Sequence, residues 1–205
     1  MGVIERRKCI IPNNRYNLNM TQIVQKEATV LREKAKDVPI SKIRSAQIKR
    51  IIKAMKDALK SQEDGVAVAA PQIGESLRIF VVSKRIFEME RNEQGQLIKR
   101  QSEQEEDETK DIIFINPVIT KISRQKFFME EGCLSVRYFY GLVKRSEKVS
   151  VKAYDENGKQ FTRGASGLMA QVFQHETDHL NGILFTDKAK ELKEMNPPNI
   201  THGKA

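Results

Sequence analysis

The chain has 205 residues, 39% hydrophobic and 31% charged, enough for one globular domain with a substantial core. No apolar run approaches the roughly 18 residues of a membrane-spanning helix, and two cysteines exclude a disulfide scaffold. Lys and Arg outnumber Asp and Glu by 36 to 27, a net charge of +9 that attracts polyanions or simply keeps the protein in solution. No motif for sequence-specific nucleic-acid binding accompanies it.

The opening Met1-Gly2-Val3-Ile4-Glu5-Arg6 lacks the apolar stretch of a signal peptide and has Arg6 where a myristoylation signal has Ser or Thr. The expected compartment is the cytoplasm, where Cys9 and Cys133 are free, buried or bound to metal. Polar composition predicts a loose N-terminal arm over residues 1–20. Between residues 45 and 60, Ile48, Ile51, Ile52, Met55, Ala58 and Leu59 recur at helical spacing. Asp64-Gly65 closes that helix with a turn, and residues 65–72 read as a strand running into a loop. Residues 78–83 form a short buried strand. Residues 88–111 carry nine acidic residues against four basic ones, the composition of a solvated loop insertion. Residues 112–117 predict another strand, stopped by Pro117. Residues 148–154 alternate as a half-buried strand, Asn157-Gly158 marks a hairpin turn, and Phe161 begins the return strand. From 166 to 181 the period turns helical, with Leu168, Val172, His175 and His179 on one face, and Gly182 placed to stop it. A flexible tail is expected over 196–205. Helices and strands are segregated, so the expected class is α+β with largely antiparallel sheet, a single catalytic domain spanning 21–195.

Two of the three histidines lie four residues apart in His175-Glu176-Thr177-Asp178-His179. Residues i and i+4 stack on one helix face, so both imidazoles can reach one divalent metal, and Glu176 can take a proton from water at the open position. A chance match on an ordinary helix gives the same five letters. A catalytic metal needs a third protein ligand. Phe185 stands where a metzincin protease has its third histidine, and phenylalanine cannot ligate. Glu191 and Glu194 are possible, but Cys133, in Glu130-Glu131-Gly132-Cys133-Leu134-Ser135, is the better candidate. A lone cysteine is also commonly a small buried hydrophobe.

Three segments together resemble the peptide deformylase family: Gly65-Val66-Ala67-Val68-Ala69-Ala70-Pro71-Gln72, Glu131-Gly132-Cys133-Leu134-Ser135, and His175-Glu176-x-x-His179 with Gln174, Asp178 and Leu180 around it. The resemblance implies antiparallel sheets enclosing a central helix that carries His175 and His179. It implies removal of the N-formyl group from the N-terminal formylmethionine of new polypeptides. Cys133, His175 and His179 would hold one divalent metal, Fe(II) natively and replaceable by Zn(II) or Ni(II). Glu176 would be the general acid/base, and Gln72 and the Leu134 N–H would hold the oxyanion. Gly65, Val66 and Ala67 would pair with the substrate backbone. Val172 and Leu168, one and two turns before His175, suit a pocket for the methionine side chain, although core packing produces the same pattern. The implied partner is a formylated nascent peptide, with a transient ribosome contact through the basic surface and no membrane.

The chain departs from the family pattern in places. Ala67 replaces a usual glycine, and Gln171 is polar where a pocket wall is expected. Val136-Arg137-Tyr138 follows Ser135 without the usual proline, which leaves Arg137 and Arg145 as alternatives for steering the peptide. A zinc peptidase cleaving internal bonds and a basic RNA-binding module with a structural metal are the competing readings. The intact Glu176 argues against the second.

Overall fold

The structure is a computed structural model that describes residues 22–91, 97–99 and 110–195. The expected arm at 1–20 and tail at 196–205 lie outside these residues. The elements are α1 (Ala46–Lys60), β1 (Ala67–Ala69), β2 (Ile79–Val82), β3 (Met89–Arg91), β4 (Leu97–Lys99), β5 (Ile112–Ile122), β6 (Lys126–Gly132), β7 (Phe139–Ser146), β8 (Lys148–Tyr154), β9 (Gln160–Ser166), α2 (Gly167–His179) and β10 (Lys190–Glu194). The strands form a five-stranded sheet in the order β1-β2-β5-β8-β9, a three-stranded sheet β10-β7-β6, and the pair β3-β4. All these pairings are antiparallel. The chain is thus a mixed α and β protein with two α-helices among the described residues. None of its described helices is long and apolar enough to cross a membrane.

Helix α1 begins where Ser45 caps it, its hydroxyl accepting from the Ile48 N–H at 3.3 Å. Its buried stripe of Ile48, Ile51, Ile52, Met55, Ala58 and Leu59 is the one the spacing predicts. This stripe packs on Val68, Ile79, Val81, Ile113 and Ile115, one face of the five-stranded sheet. Each such side chain contributes about 1.5–3 kcal/mol of transfer free energy as an upper bound. The other face carries Ala67, Ala69, Phe80, Val82, Phe114, Val149 and Val151, which pack with Val172, Phe173 and Leu180. The Phe114 ring lies 4.5 Å from Phe80 in a stacked arrangement and 4.9 Å from Phe173 edge-on. Helix α2 also reaches the three-stranded sheet, where Gln174 exchanges hydrogen bonds with the backbone of Ser146 at 3.0 and 2.9 Å.

The strand after residue 112 does not stop at Pro117. It runs to Ile122, with a register shift between Ile115 and Val118. Asn116 takes φ 50 there, and its side chain bonds the Val38 N–H and C=O at 2.8 and 2.7 Å. Proline lacks a ladder donor, and a bulge is where that donor is not needed. The acidic segment is not wholly loop either. Met89–Arg91 pairs with Leu97–Lys99, while 92–96 and 100–109 lie outside the described residues. Residues 65–72 are extended only over Ala67–Ala69, and a 3-10 turn over Ala70–Ile73 follows.

Gly182 is required on two counts. Its φ is +74, and a Cβ there would stand 2.6 Å from the Arg32 carbonyl oxygen. Gly158 has φ +80 but open space around the Cβ position. Backbone strain alone costs about 1–2 kcal/mol for alanine. Gly158→Ala should lose about that much in urea unfolding, and Gly182→Ala at least twice as much because the clash is with backbone. Equal losses would show that the Arg32 segment moves aside freely.

Candidate metal centre and pocket

The sequence on α2 puts His175 and His179 one turn apart, with ring centroids 4.9 Å apart. The turn after β6 brings Cys133 to them. Its Sγ lies 3.2 Å from His179 Nε2. One ligand atom from each of Cys133, His175 and His179 falls within 4.8 Å of the other two. Glu191 and Glu194, the alternative third ligands, lie exposed on β10 and outside this group. A thiol and two imidazoles suit a borderline divalent transition metal with one position left for water or substrate.

One of the candidate ligands is braced from behind. His175 Nδ1 lies 2.9 Å from Glu131 Oε2, which leaves Nε2 of that ring for a metal. Glu131 in turn accepts two bonds from Arg145, 2.7 Å from Nε and 2.9 Å from Nη2. Arg145 Nη1 donates to Asp178 Oδ2 at 2.6 Å, and Lys188 Nζ donates to both Asp178 oxygens at 2.7 Å. The chain of charges runs from part-exposed Lys188 to the half-buried imidazole of His175. Burial alone would raise the Glu131 carboxyl, but the bonds from Arg145 and His175 outweigh it and hold the carboxyl at about 2. Burial likewise pushes His175 down, yet its contacts with Cys133 and Glu131 raise it well above the ordinary histidine value. His179 is held well below that value by burial and by His175.

Glu176 is 3% exposed, and its Oε2 has no hydrogen-bond partner. Burial pushes its carboxyl up to about 7, with His175 pulling the other way. A carboxyl so placed exchanges protons readily near neutrality. Gln72 is also buried. Its Oε1 accepts from the Ala69 N–H at 2.8 Å, which turns its Nε2 toward Ser135 Oγ (3.3 Å) and Cys133 Sγ (3.5 Å). The Leu134 carbonyl accepts from Gln25 Nε2 at 3.2 Å, which fixes that peptide plane.

A pocket of about 250 Å3 brings the separate segments together. Gly65, Val66, Ala67 and Gln72 line it from the first, Cys133 and Leu134 from the second, and Leu168, Val172, His175 and Glu176 from α2. His179 is 1% exposed and stands behind them. Ala67 also packs in the core with Val82 and Phe80, so its methyl group is absorbed on the sheet's inner face. Gln171 reaches a pocket wall and spans to the Glu130 carbonyl at 2.9 Å, a tie that an apolar residue could not make. Arg145 cannot steer a peptide. It is 4% exposed and wholly engaged by two carboxylates. Arg137 does line the pocket. Sequence reasoning gave Glu131, Asp178 and Lys188 no role. The one available signal was that Glu131 and Asp178 sit beside the proposed ligands in their own motifs.

A group of one half-buried cysteine, one half-buried and one buried histidine, beside a carboxyl with an unpartnered oxygen and at the wall of an open pocket, is the equipment of a metal-dependent hydrolase. The family model described as Polypeptide deformylase matches residues 20–195. A peptide deformylase of Desulforudis audaxviator is 39% identical over 171 residues, 83% of this chain and 94% of that one. Peptide deformylase 1A, chloroplastic/mitochondrial, of Arabidopsis thaliana is 36% identical over 188 residues, 92% of this chain and 65% of that one. The Met-Ala-Ser-bound crystal structure of class I type b peptide deformylase from Acinetobacter baumannii superposes with a TM-score of 0.67 at 29% identity, covering 81% of this chain and 96% of that one. The chain belongs to the peptide deformylase family, metal-dependent hydrolases that remove the formyl group from nascent peptides.

Glu131→Gln should show how much the brace matters. It leaves Arg145 buried with half its partners, which costs about 3–5 kcal/mol of stability, and it should weaken metal binding by about 10–100-fold. The folded Glu131 value of about 2 lies below the ordinary 4.5, so its contribution is present above 4.5 and fades as pH falls toward 2. In metal-free protein the gap between wild type and variant should therefore narrow below pH 4.5. A gap that is constant with pH would mean that charge is not what Glu131 contributes.

Proposed function

We propose that this chain is a working peptide deformylase in which Cys133, His175 and His179 hold one divalent ion, natively Fe(II), with Zn(II) or Ni(II) as substitutes. The observation that carries this reading is the convergence of that ligand group and the unpartnered Glu176 carboxyl on one pocket. Helix α2, which contacts strands of both larger sheets, then serves as the family's central helix. Residues 21–195 form the catalytic domain, with 88–111 as an insertion, 1–20 as an arm and 196–205 as a tail. The bound ion would supply Lewis-acid charge and make water acidic enough to react near neutrality.

The chain's own residues do the rest. Glu176 takes the proton of the attacking water and gives it to the departing amine. Its burial raises the carboxyl above the ordinary range, which favours the protonated form from which it gives that proton up. Gln72 Nε2 and the Leu134 N–H donate to the formyl oxygen as negative charge builds there, each worth roughly 3–4 kcal/mol in comparable sites. The backbone of Gly65, Val66 and Ala67 aligns the peptide, and Leu168 and Val172 receive the methionine side chain. Formyl carbon carries only hydrogen as its second substituent, so a tight wall excludes larger acyl groups. The basic surface provides a transient ribosome contact, and the compartment is the cytoplasm.

Two substitutions test the assignment. Cys133→Ala should lose the metal on elemental analysis, and a variant that keeps one equivalent would remove Cys133 from the ligand set. Glu176→Gln should keep the metal and should melt no lower than wild type, because it replaces a buried unpartnered carboxyl with a neutral group. Formate release from formyl-Met-Ala-Ser should fall at least about 10²–10⁴-fold. Near-normal turnover would contradict the proton-transfer role, and loss of metal would make Glu176 a ligand instead.

A further inference from the structure

The pocket has an end that the chemistry does not use. Asp64 and Arg137 line it beside Gly65. Their side chains are 56% and 24% exposed, so they stand where the pocket meets solvent. Arg137 grips Asp64 at two points, Nη1 to Oδ2 at 2.6 Å and Nη2 to Oδ1 at 3.1 Å. Nη2 also donates to Gln62 Oε1 at 2.9 Å. The grip joins the loop after α1 to the segment after Ser135, one on each side of the pocket.

On the deformylase reading proposed above, the direction of the peptide follows from the fold. The formyl group lies at Cys133 and Gln72. Strand β1 closes one end of its sheet and pairs only with β2 among the described residues. Its second edge can therefore accept an extended peptide. The segment from Asp64 to Gln72 runs toward the metal group, so a peptide with its blocked end at Gln72 runs antiparallel to it. Residues beyond the methionine must then pass Asp64 and Arg137.

The geometry points to the Asp64–Arg137 pair as a specificity-determining feature in which each charge cancels the other, so that neither member selects acidic or basic residues after methionine. Either member alone would select by charge. An uncompensated Arg137 would favour acidic followers, and an uncompensated Asp64 basic ones. Glu130 also lines the pocket. It stays in every variant below, so the change in preference is the informative quantity rather than its starting value.

The test uses the metal-loaded enzyme and three substrates, formyl-Met-Ala-Asp, formyl-Met-Ala-Lys and formyl-Met-Ala-Ser. The readout is the ratio of kcat/KM for the Asp peptide to that for the Lys peptide. Asp64→Asn should raise this ratio about tenfold and Arg137→Gln should lower it about tenfold, the effect of one bare charge a few ångströms away in partly exposed surroundings. The double variant should return to within about twofold of wild type, and about 0.5 M salt should shrink both single-variant shifts. A mere brace between two loops predicts that all three peptides decline together and that the double variant is no better than the worse single one. Ratios unmoved in both single variants, with wild-type turnover normal, would overturn the charge-compensation role alone. A wild-type enzyme that released no formate from any of the three would overturn the deformylase reading and this inference with it.

Discussion

The candidate metal group is held in place at His175 by one buried carboxylate. Glu131 arrives at the end of β6, Arg145 comes from β7, and His175 and Asp178 come from α2. The three elements meet through it, with Glu131 holding the imidazole on one oxygen and the guanidinium on both. Burying these charges is costly, and the cost is offset only because each finds its partners at hydrogen-bond distance. Orientation comes with the same bonds. A ring whose Nδ1 is occupied presents Nε2, and a Cys133 two residues beyond Glu131 is carried to the same place.

The core supplies the rigidity that this arrangement needs. Phe173 anchors α2 in the aromatic cluster on one side, and Gln174 ties it to Ser146 on the other. Helix α2 is therefore fixed against two sheets, and the side chains between those anchors are free to be chemically demanding. Glu176 is one of these, a buried carboxyl without a partner. His179 Nδ1 is another unpartnered buried atom. Ser146 Oγ is the third such atom among the described residues, and of the three only Glu176 Oε2 belongs to a residue that lines the pocket; an unpartnered buried carboxyl lowers stability, and one placed there is a candidate for reactivity.

The legibility of this architecture in the sequence follows the range of the interactions involved. Helix α1 is readable because its stripe and its Ser45 cap are local. The pairing of His175 with His179 is readable for the same reason, since helical geometry alone brings i and i+4 together. Pro117 misleads because proline ends a strand in the middle of a sheet but not at a bulge, and the bulge depends on Asn116 reaching Val38, far away in sequence. The β3–β4 pair is hidden by acidic composition, which speaks of solvent and not of backbone pairing. Arg145 is unreadable as a buried residue, because its partners Glu131 and Asp178 lie 14 and 33 positions away. The choice among Cys133, Glu191 and Glu194 as the third ligand likewise depends on long-range folding. Only the tertiary structure puts Cys133 beside the histidines and leaves both glutamates on an exposed strand.

On the proposed reading one thiolate and two imidazoles, that of His175 braced by Glu131, converge on a single ion. Titration of the metal-free protein with Co(II), followed by absorption spectroscopy, tests it most directly. Saturation is expected at one equivalent, with a near-ultraviolet thiolate-to-cobalt charge-transfer band that grows in step with intense visible bands of a low-coordinate site. Saturation without the charge-transfer band, or binding that does not saturate at one equivalent, would contradict it.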